Sequence, residues 1–203
     1  MSDSPLETVI RQRRSIRGLQ GPPLSSEELD SLVQLALTAP APHHTQPWRF
    51  VEISRERRPG LAAGMGEEWR RDLVHDGVPQ AQQQRALTRS RGQIENAPTL
   101  LLGCLVADGL NDYADDRRQR AEWALATHSF GAALQNILLA ASARGFAAYW
   151  ISAPLYAPAA VRSELDLDNE WQPQAFVALG RPADDYQPFD RPNLKLSRHF
   201  IRR

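Results

Sequence analysis

The pattern that most constrains this chain lies at residues 121–144, where Trp123, Phe130, Leu134, Ile137, Leu138 and Ala141 spread apolar side chains over most faces of one helix. A surface helix keeps a polar side, so a helix that is apolar nearly all round must be covered by other layers. Gly131 permits a neighbour to approach closely, and Gly145 is placed to cap the helix end. The 203 residues suffice to build that cover as a single domain spanning 1–203.

The remaining elements follow from caps and periodicity. Ser4-Pro5 with Glu7 reads as a capping box, starting a helix that should run to about Arg14. Ser25 to Glu28 opens a second helix, with Leu29, Leu32, Val33, Ala36 and Leu37 on one face; Pro40 and Pro42 stop it. Strands are expected at 48–54, at 99–106 (apolar throughout and so central), at 146–152 and at 175–179, with a last one in the tail at 194–201. A short helix should begin near Pro158, and the polar stretch 55–96 reads as two or three helices forming an exposed face or a lid. Helices gather in runs instead of alternating with strands, so the class is α+β.

Charge narrows the function. Lys plus Arg number 24 and Asp plus Glu 24, so no global field invites nucleic acid, and any anion site must be local. No stretch of eighteen apolar residues occurs and no leader pattern stands at the N-terminus, so a soluble, cytoplasmic protein with no membrane partner is expected. The single cysteine, Cys104, allows neither an intrachain disulfide nor a cysteine-rich metal site, and its apolar setting reads as a small buried hydrophobe. The glycine signatures of Rossmann sites, P-loops and nucleophile elbows are all missing.

Five places can carry chemistry. Arg13, Arg14, Ser15 and Arg17 follow the first helix, and guanidinium forks match phosphate oxygens; solvated charge at a helix C-terminus is the alternative. Residues 38–48, with Pro40, Pro42 and Pro47, cannot be helical and form a rigid loop ahead of a strand. Its His43 and His44 have no acidic or thiol partner at ligand spacing, so they read as polar contacts to a planar ring or as exposed residues, not as metal ligands. Tyr149 to Ala153 ends a strand in small residues, Ser152 and Ala153, which lets backbone amides reach a ligand. In the 55–96 stretch, Trp69, Arg70 and Arg89, with Arg71, Arg85 and Arg91, can cover an anionic substrate or form a solvated face; Lys195 and Arg198 in the tail repeat the phosphate possibility.

Taken in order, the arginine-serine motif at 13–17, the proline-bounded loop ending Gln46-Pro47-Trp48-Arg49-Phe50 and the late Trp150-Ile151-Ser152-Ala153 resemble the flavin-dependent nitroreductase family. The wording of residues 37–45, Arg91 to Ile94 before Ala97-Pro98, and Glu164 to Leu167 before Trp171 is similar to one branch, the nitroreductase-like (FbiB) domain of deazaflavin coenzyme F-420 biosynthesis. The resemblance implies a mostly antiparallel central sheet flanked by helices in an intertwined homodimer, with FMN at the subunit interface and NAD(P)H as a possible electron donor. It puts Arg13, Arg14, Ser15 and Arg17, joined by Lys195 or Arg198, on the FMN phosphate and ribityl chain. Pro40, Ala41, Pro42 and His44 would reach the other subunit's flavin, Ser152 and Ala153 the neighbourhood of N5, and Ser90 the pyrimidine edge. Many nitroreductases have Asn at the place of His44, and some have Glu-Gly at that of Ser152-Ala153. These departures lean towards reduction of the dehydro coenzyme F-420-0 precursor by the reduced flavin, with a broad nitroaromatic or quinone reductase and a non-catalytic flavin or deazaflavin carrier as alternatives. No protein nucleophile is required.

Overall fold

In a computed structural model, which describes residues 3–187, 189–192 and 194–203, one sheet organises everything else. Strand β3 (Thr99–Leu105) is buried along its whole length and lies between β2 (Trp48–Glu52) and β5 (Gln172–Pro182). Strand β5 also pairs with β4 (Ala147–Ile151) and with the short β1 (Leu19–Gln20), and every pairing is antiparallel.

Side chains on a strand alternate between faces, and here both faces are apolar. Leu101 and Leu105 of β3, with Ala175, Val177 and Leu179 of β5, turn to helices α2 (Ser26–Ala36) and α5 (Asp116–Ala143). Leu100, Leu102 and Cys104, with Phe176 and Ala178, turn to α3 (Arg58–His75), α4 (Gln80–Glu95) and α6 (Pro158–Leu165). The sheet is therefore the middle of three layers. At Gly103, beside a register shift in β3, any Cβ would lie 2.6 Å from the Phe130 ring of α5, so the strand passes the helix only because that side chain is missing.

The expected elements are present with altered ends. Helix α1 (Pro5–Gln12) keeps its capping box, and so does α2. Helix α5 begins before residue 121 because the Asp115 carboxylate caps it, a polar first turn that hydrophobic periodicity does not register. Gly145 stands at φ 75°, beyond the last turn, as its capping role requires. The stretch 55–96 resolves into two helices, α3 and α4. The strand expected in the tail is a correction: the tail holds a 3-10 turn, Leu196–Arg198, and pairs with no strand among the described residues. Its apolar side chains, Leu194, Leu196, Phe200 and Ile201, are more than half exposed, so within one chain nothing pays for an extended ladder there.

Candidate active site

After α1 the chain is stitched to the sheet: the Ile16 N–H donates to the Ala148 carbonyl of β4 at 3.2 Å, and Leu19–Gln20 pairs with the end of β5. This places the Arg17 guanidinium 5.8 Å from the centre of the Tyr149 ring. Burial pushes the Tyr149 hydroxyl above its ordinary value, and Arg17 acts against that shift.

Arg17 stands where two cavities meet. The larger, of about 820 Å³, is walled by Met65, Trp69 and Asp72 of α3, by Asp76 at its C-cap, and by Ala86, Arg89, Ser90 and Gln93 of α4. Spacings such as 65, 69, 72 and 86, 89/90, 93 put each set on one helix face. Ala153, Tyr156 and Ala157, from the turn that follows β4, close the floor, and Phe189 stands at the rim. The smaller cavity, about 260 Å³, shares Arg17, Arg89 and Gln93 and reaches Tyr149 and Asn96. A site of this size, with aromatic walls and few convergent polar groups, suits a planar heteroaromatic molecule.

The structure separates the arginines that look alike in sequence. Arg14 is spent on local structure: its Nη1 donates to the carbonyls of Arg11, Gln12 and Arg13, at 2.7, 3.2 and 3.1 Å, and so closes the end of α1. Arg13 makes no ion pair among the described residues; burial, then Arg191 and Arg14 beside it, hold its guanidinium below the ordinary arginine value. Such a knot of positive charge without a carboxylate favours an anion. The tail residue that joins it is Arg191, whose Nη2 donates to the Arg13 carbonyl at 2.6 Å. Lys195 and Arg198, the tail residues the sequence points to, sit at the exposed 3-10 turn and make no bond to residues 13–17 among those described. Arg191 escaped notice because it stands among prolines with no motif around it. Ser15 is exposed; its carbonyl accepts from the Tyr186 hydroxyl at 3.4 Å.

Of the expected substrate residues, Trp69 and Arg89 line the large cavity, whereas Arg70 does not. Arg70 is held on the outer face of α3 by Glu67, through bonds of 2.9 and 2.7 Å. Asp72 and Asp76 at the cavity mouth were not anticipated. Ser90 and Ala153 also line the cavity; Ser152 precedes the turn at its floor.

The loop of residues 38–48 lines neither cavity. It carries three non-glycine residues in the left-handed region, His43 at φ 52°, His44 at 58° and Gln46 at 52°. The Pro42–His44 turn is held by His43, whose Nε2 lies 2.9 Å from Oε1 of Glu122, a residue 3% exposed on α5. Gln46 Nε2 donates to the Leu37 carbonyl at 2.9 Å. Pro40, Ala41, Pro42 and His44 thus lie on a pinned edge that lines neither cavity. No group of three or more His, Cys, Asp or Glu able to hold a metal occurs among the described residues, and no helix there is long and apolar enough to cross a membrane.

Residues 10–181 match the profile of the Nitroreductase family. The chain belongs to that family. A nitrobenzene nitroreductase of Ectopseudomonas oleovorans is 30% identical over 89% of this chain and 88% of its own length. A 5,6-dimethylbenzimidazole synthase of Rhodospirillum rubrum is 26% identical over 89% of this chain and 83% of its own. Among solved structures, a nitroreductase from Desulfovibrio desulfuricans in complex with FMN superposes with a TM-score of 0.74 at 25% identity, covering 100% of this chain and 98% of that one. As a member of this family, the chain has the nitroreductase fold and is a flavin-dependent oxidoreductase.

Proposed function

We propose that this nitroreductase binds FMN with its ring system in the cavity between α3, α4 and the turn after β4, and uses it to reduce an aromatic acceptor with electrons from a nicotinamide nucleotide. The observation that carries the reading is the convergence on one cavity of Arg17, Ser90, Gln93 and the Ala153 turn, with the Arg13–Arg191 knot, which makes no ion pair among the described residues, a few residues before Arg17. When bound, the flavin supplies hydride transfer. The chain's residues bind and orient: Arg13, Arg17 and Arg191 meet the phosphate and its linker, and the α4 face carrying Ser90 and Gln93 offers hydrogen bonds to the ring edge. Trp69, Tyr156 and Phe189 supply apolar walls that exclude water above it. A second copy of the chain, covering the exposed apolar tail and Leu6 and Ile10 of α1, would bring the pinned loop edge to the open side of the ring.

For the acceptor, the branch likeness of the sequence favours the dehydro coenzyme F-420-0 precursor, whose enol-pyruvyl side chain would be saturated. The 30% identical nitrobenzene nitroreductase favours nitroaromatics equally. Both are settled by one set of assays on the purified FMN-loaded protein with NADH or NADPH: mass spectrometry for the saturated deazaflavin product, and nucleotide oxidation with nitrobenzene. A yellow protein that releases FMN on denaturation and turns over either acceptor supports the reading. A protein that takes up no FMN overturns it.

A further inference from the structure

We propose that His43 is a positioning residue: through its bond to the buried carboxylate of Glu122 it locks the left-handed turn that presents Pro42 and His44 to a flavin held by a second copy of the chain. The inference rests on the function proposed above and assigns the two adjacent histidines different work.

Three consecutive facts lead there. Residues with a Cβ avoid the left-handed region, so three of them within residues 43–46 need outside support to stay there. Gln46 Nε2 on the Leu37 carbonyl and Thr45 Oγ1 on the Pro42 carbonyl, each at 2.9 Å, hold the loop to nearby backbone, and His43 ties it to a buried group of another element. Glu122 of α5 is almost wholly buried, and its Oε1 has two partners: the Asn111 backbone N–H, which donates at 3.0 Å, and His43 Nε2 at 2.9 Å. A buried polar group left short of a partner costs free energy, so removing the imidazole leaves Oε1 with the Asn111 N–H alone. With Nε2–H donating to Glu122, the Asn111 amide 3.0 Å from the same nitrogen must turn its oxygen towards it, since two donors cannot face one another. The turn is closed from beneath at Gly109, where a Cβ would lie 2.6 Å from Thr45 Cγ2.

Both histidines are exposed, but His44, unlike His43, has no side-chain hydrogen bond among the described residues. A turn pinned on one histidine thus holds its neighbour outward, in a backbone state that an unsupported loop would leave. The strained, well-supported edge faces no cavity of its own chain, which is the arrangement expected of a surface built for a ligand bound elsewhere.

The test uses the FMN-loaded protein. His43→Ala should keep its bound flavin, shift the flavin's visible absorption and lower kcat with nitrobenzene about tenfold, with the acceptor KM little changed. His43→Gln, whose Nε2 can still donate to Glu122, should recover most of kcat. A fall in kcat of less than threefold, an unshifted spectrum, or no recovery in His43→Gln overturns the proposal. So does a fall that merely follows lost flavin. Should His43→Ala not fold, Glu122→Gln, which keeps an acceptor but lowers its charge, is read by the same criteria. Mixing the two impaired proteins, Arg17→Ala and His43→Ala, and letting subunits exchange tests which chain's flavin the loop serves. In a mixed dimer one site draws its cavity from the His43→Ala chain and its loop from the Arg17→Ala chain, so about a quarter of all sites should regain activity. No regain shows that the loop serves its own chain and overturns the role assigned here. A wild-type protein that binds no FMN fails earlier, at the proposed function itself.

Discussion

Replacing Arg58 by Met should loosen the hairpin of α3 and α4 that walls the cavity. Arg58 is 2% exposed and donates Nε and Nη2 to the Ile53 carbonyl, at 3.1 and 3.0 Å, and Nη1 to the Ala97 carbonyl. Ile53 precedes the hairpin and Ala97 follows it, so one guanidinium ties both of its ends. Burial lowers the pKa of this group, yet arginine has enough reserve to stay charged at neutral pH. Methionine fills much of the same space and donates nothing, leaving two buried carbonyls short of partners at about 1–3 kcal/mol each. Against this stands the relief of not burying a charge. The net expectation is a loss of about 3 kcal/mol, which for a chain of this length lowers Tm by about 6–12 °C. Urea denaturation of flavin-free protein at fixed concentration measures the first quantity, and hydrogen exchange around residues 53–58 and 95–98 locates it. A loss below about 1 kcal/mol, or faster exchange spread evenly over the chain, would refute the clasp.

Arg17→Ala should weaken FMN binding by about ten- to a hundredfold, the worth of one charge-assisted hydrogen bond, and a fluorescence titration that finds Kd unchanged removes Arg17 from the site. Trp69→Ala should raise the KM for nitrobenzene severalfold while leaving FMN affinity intact, because Trp69 belongs to the outer wall of the cavity; steady-state kinetics beside the same titration decide it. Burial pushes the Cys104 thiol from 9.0 up to about 12. The folded state then holds its proton where the unfolded chain has lost it, so this contribution to stability is whole below pH 9 and fades as pH rises towards 12. Wild type should therefore lose more stability than Cys104→Ala between those limits, by up to about 4 kcal/mol, and parallel pH curves in urea would contradict it.

How much of this was legible in the sequence depended on whether a residue's partner is near in the chain. The capping boxes at Ser4 and Ser25, the apolar β3 and the buried face of α5 were readable because cap and periodicity are local signals. The sheet order was not, since the pairing of β5 with three different strands is decided by layers that meet only in three dimensions. The same limit explains the tail. Alternating apolar residues at 194–201 look like a strand, but a strand exists only where it pairs with a neighbour, and the tail pairs with no strand among the described residues.

The arginines show the limit most sharply, and what lies behind it. Arg13, Arg14 and Arg17 stand within five residues and have identical chemistry, so sequence can only assign them jointly to an anion. Folding divides them: Arg14 turns back on the carbonyls of its own helix, Arg13 meets Arg191 from far along the chain, and Arg17 is carried by β1 and the Ile16–Ala148 bond to the mouth of both cavities. The histidines divide in the same way, with a buried Glu122 more than seventy residues away choosing His43. In both cases the distant partner takes one of several equivalent side chains for structure, and the function is left to those it does not take. Mutating Arg14 should accordingly cost the cap of α1 more than it costs FMN affinity, and circular dichroism compared with flavin titration in Arg14→Gln distinguishes the two: a loss of affinity as large as that of Arg17→Ala would show that the division does not exist.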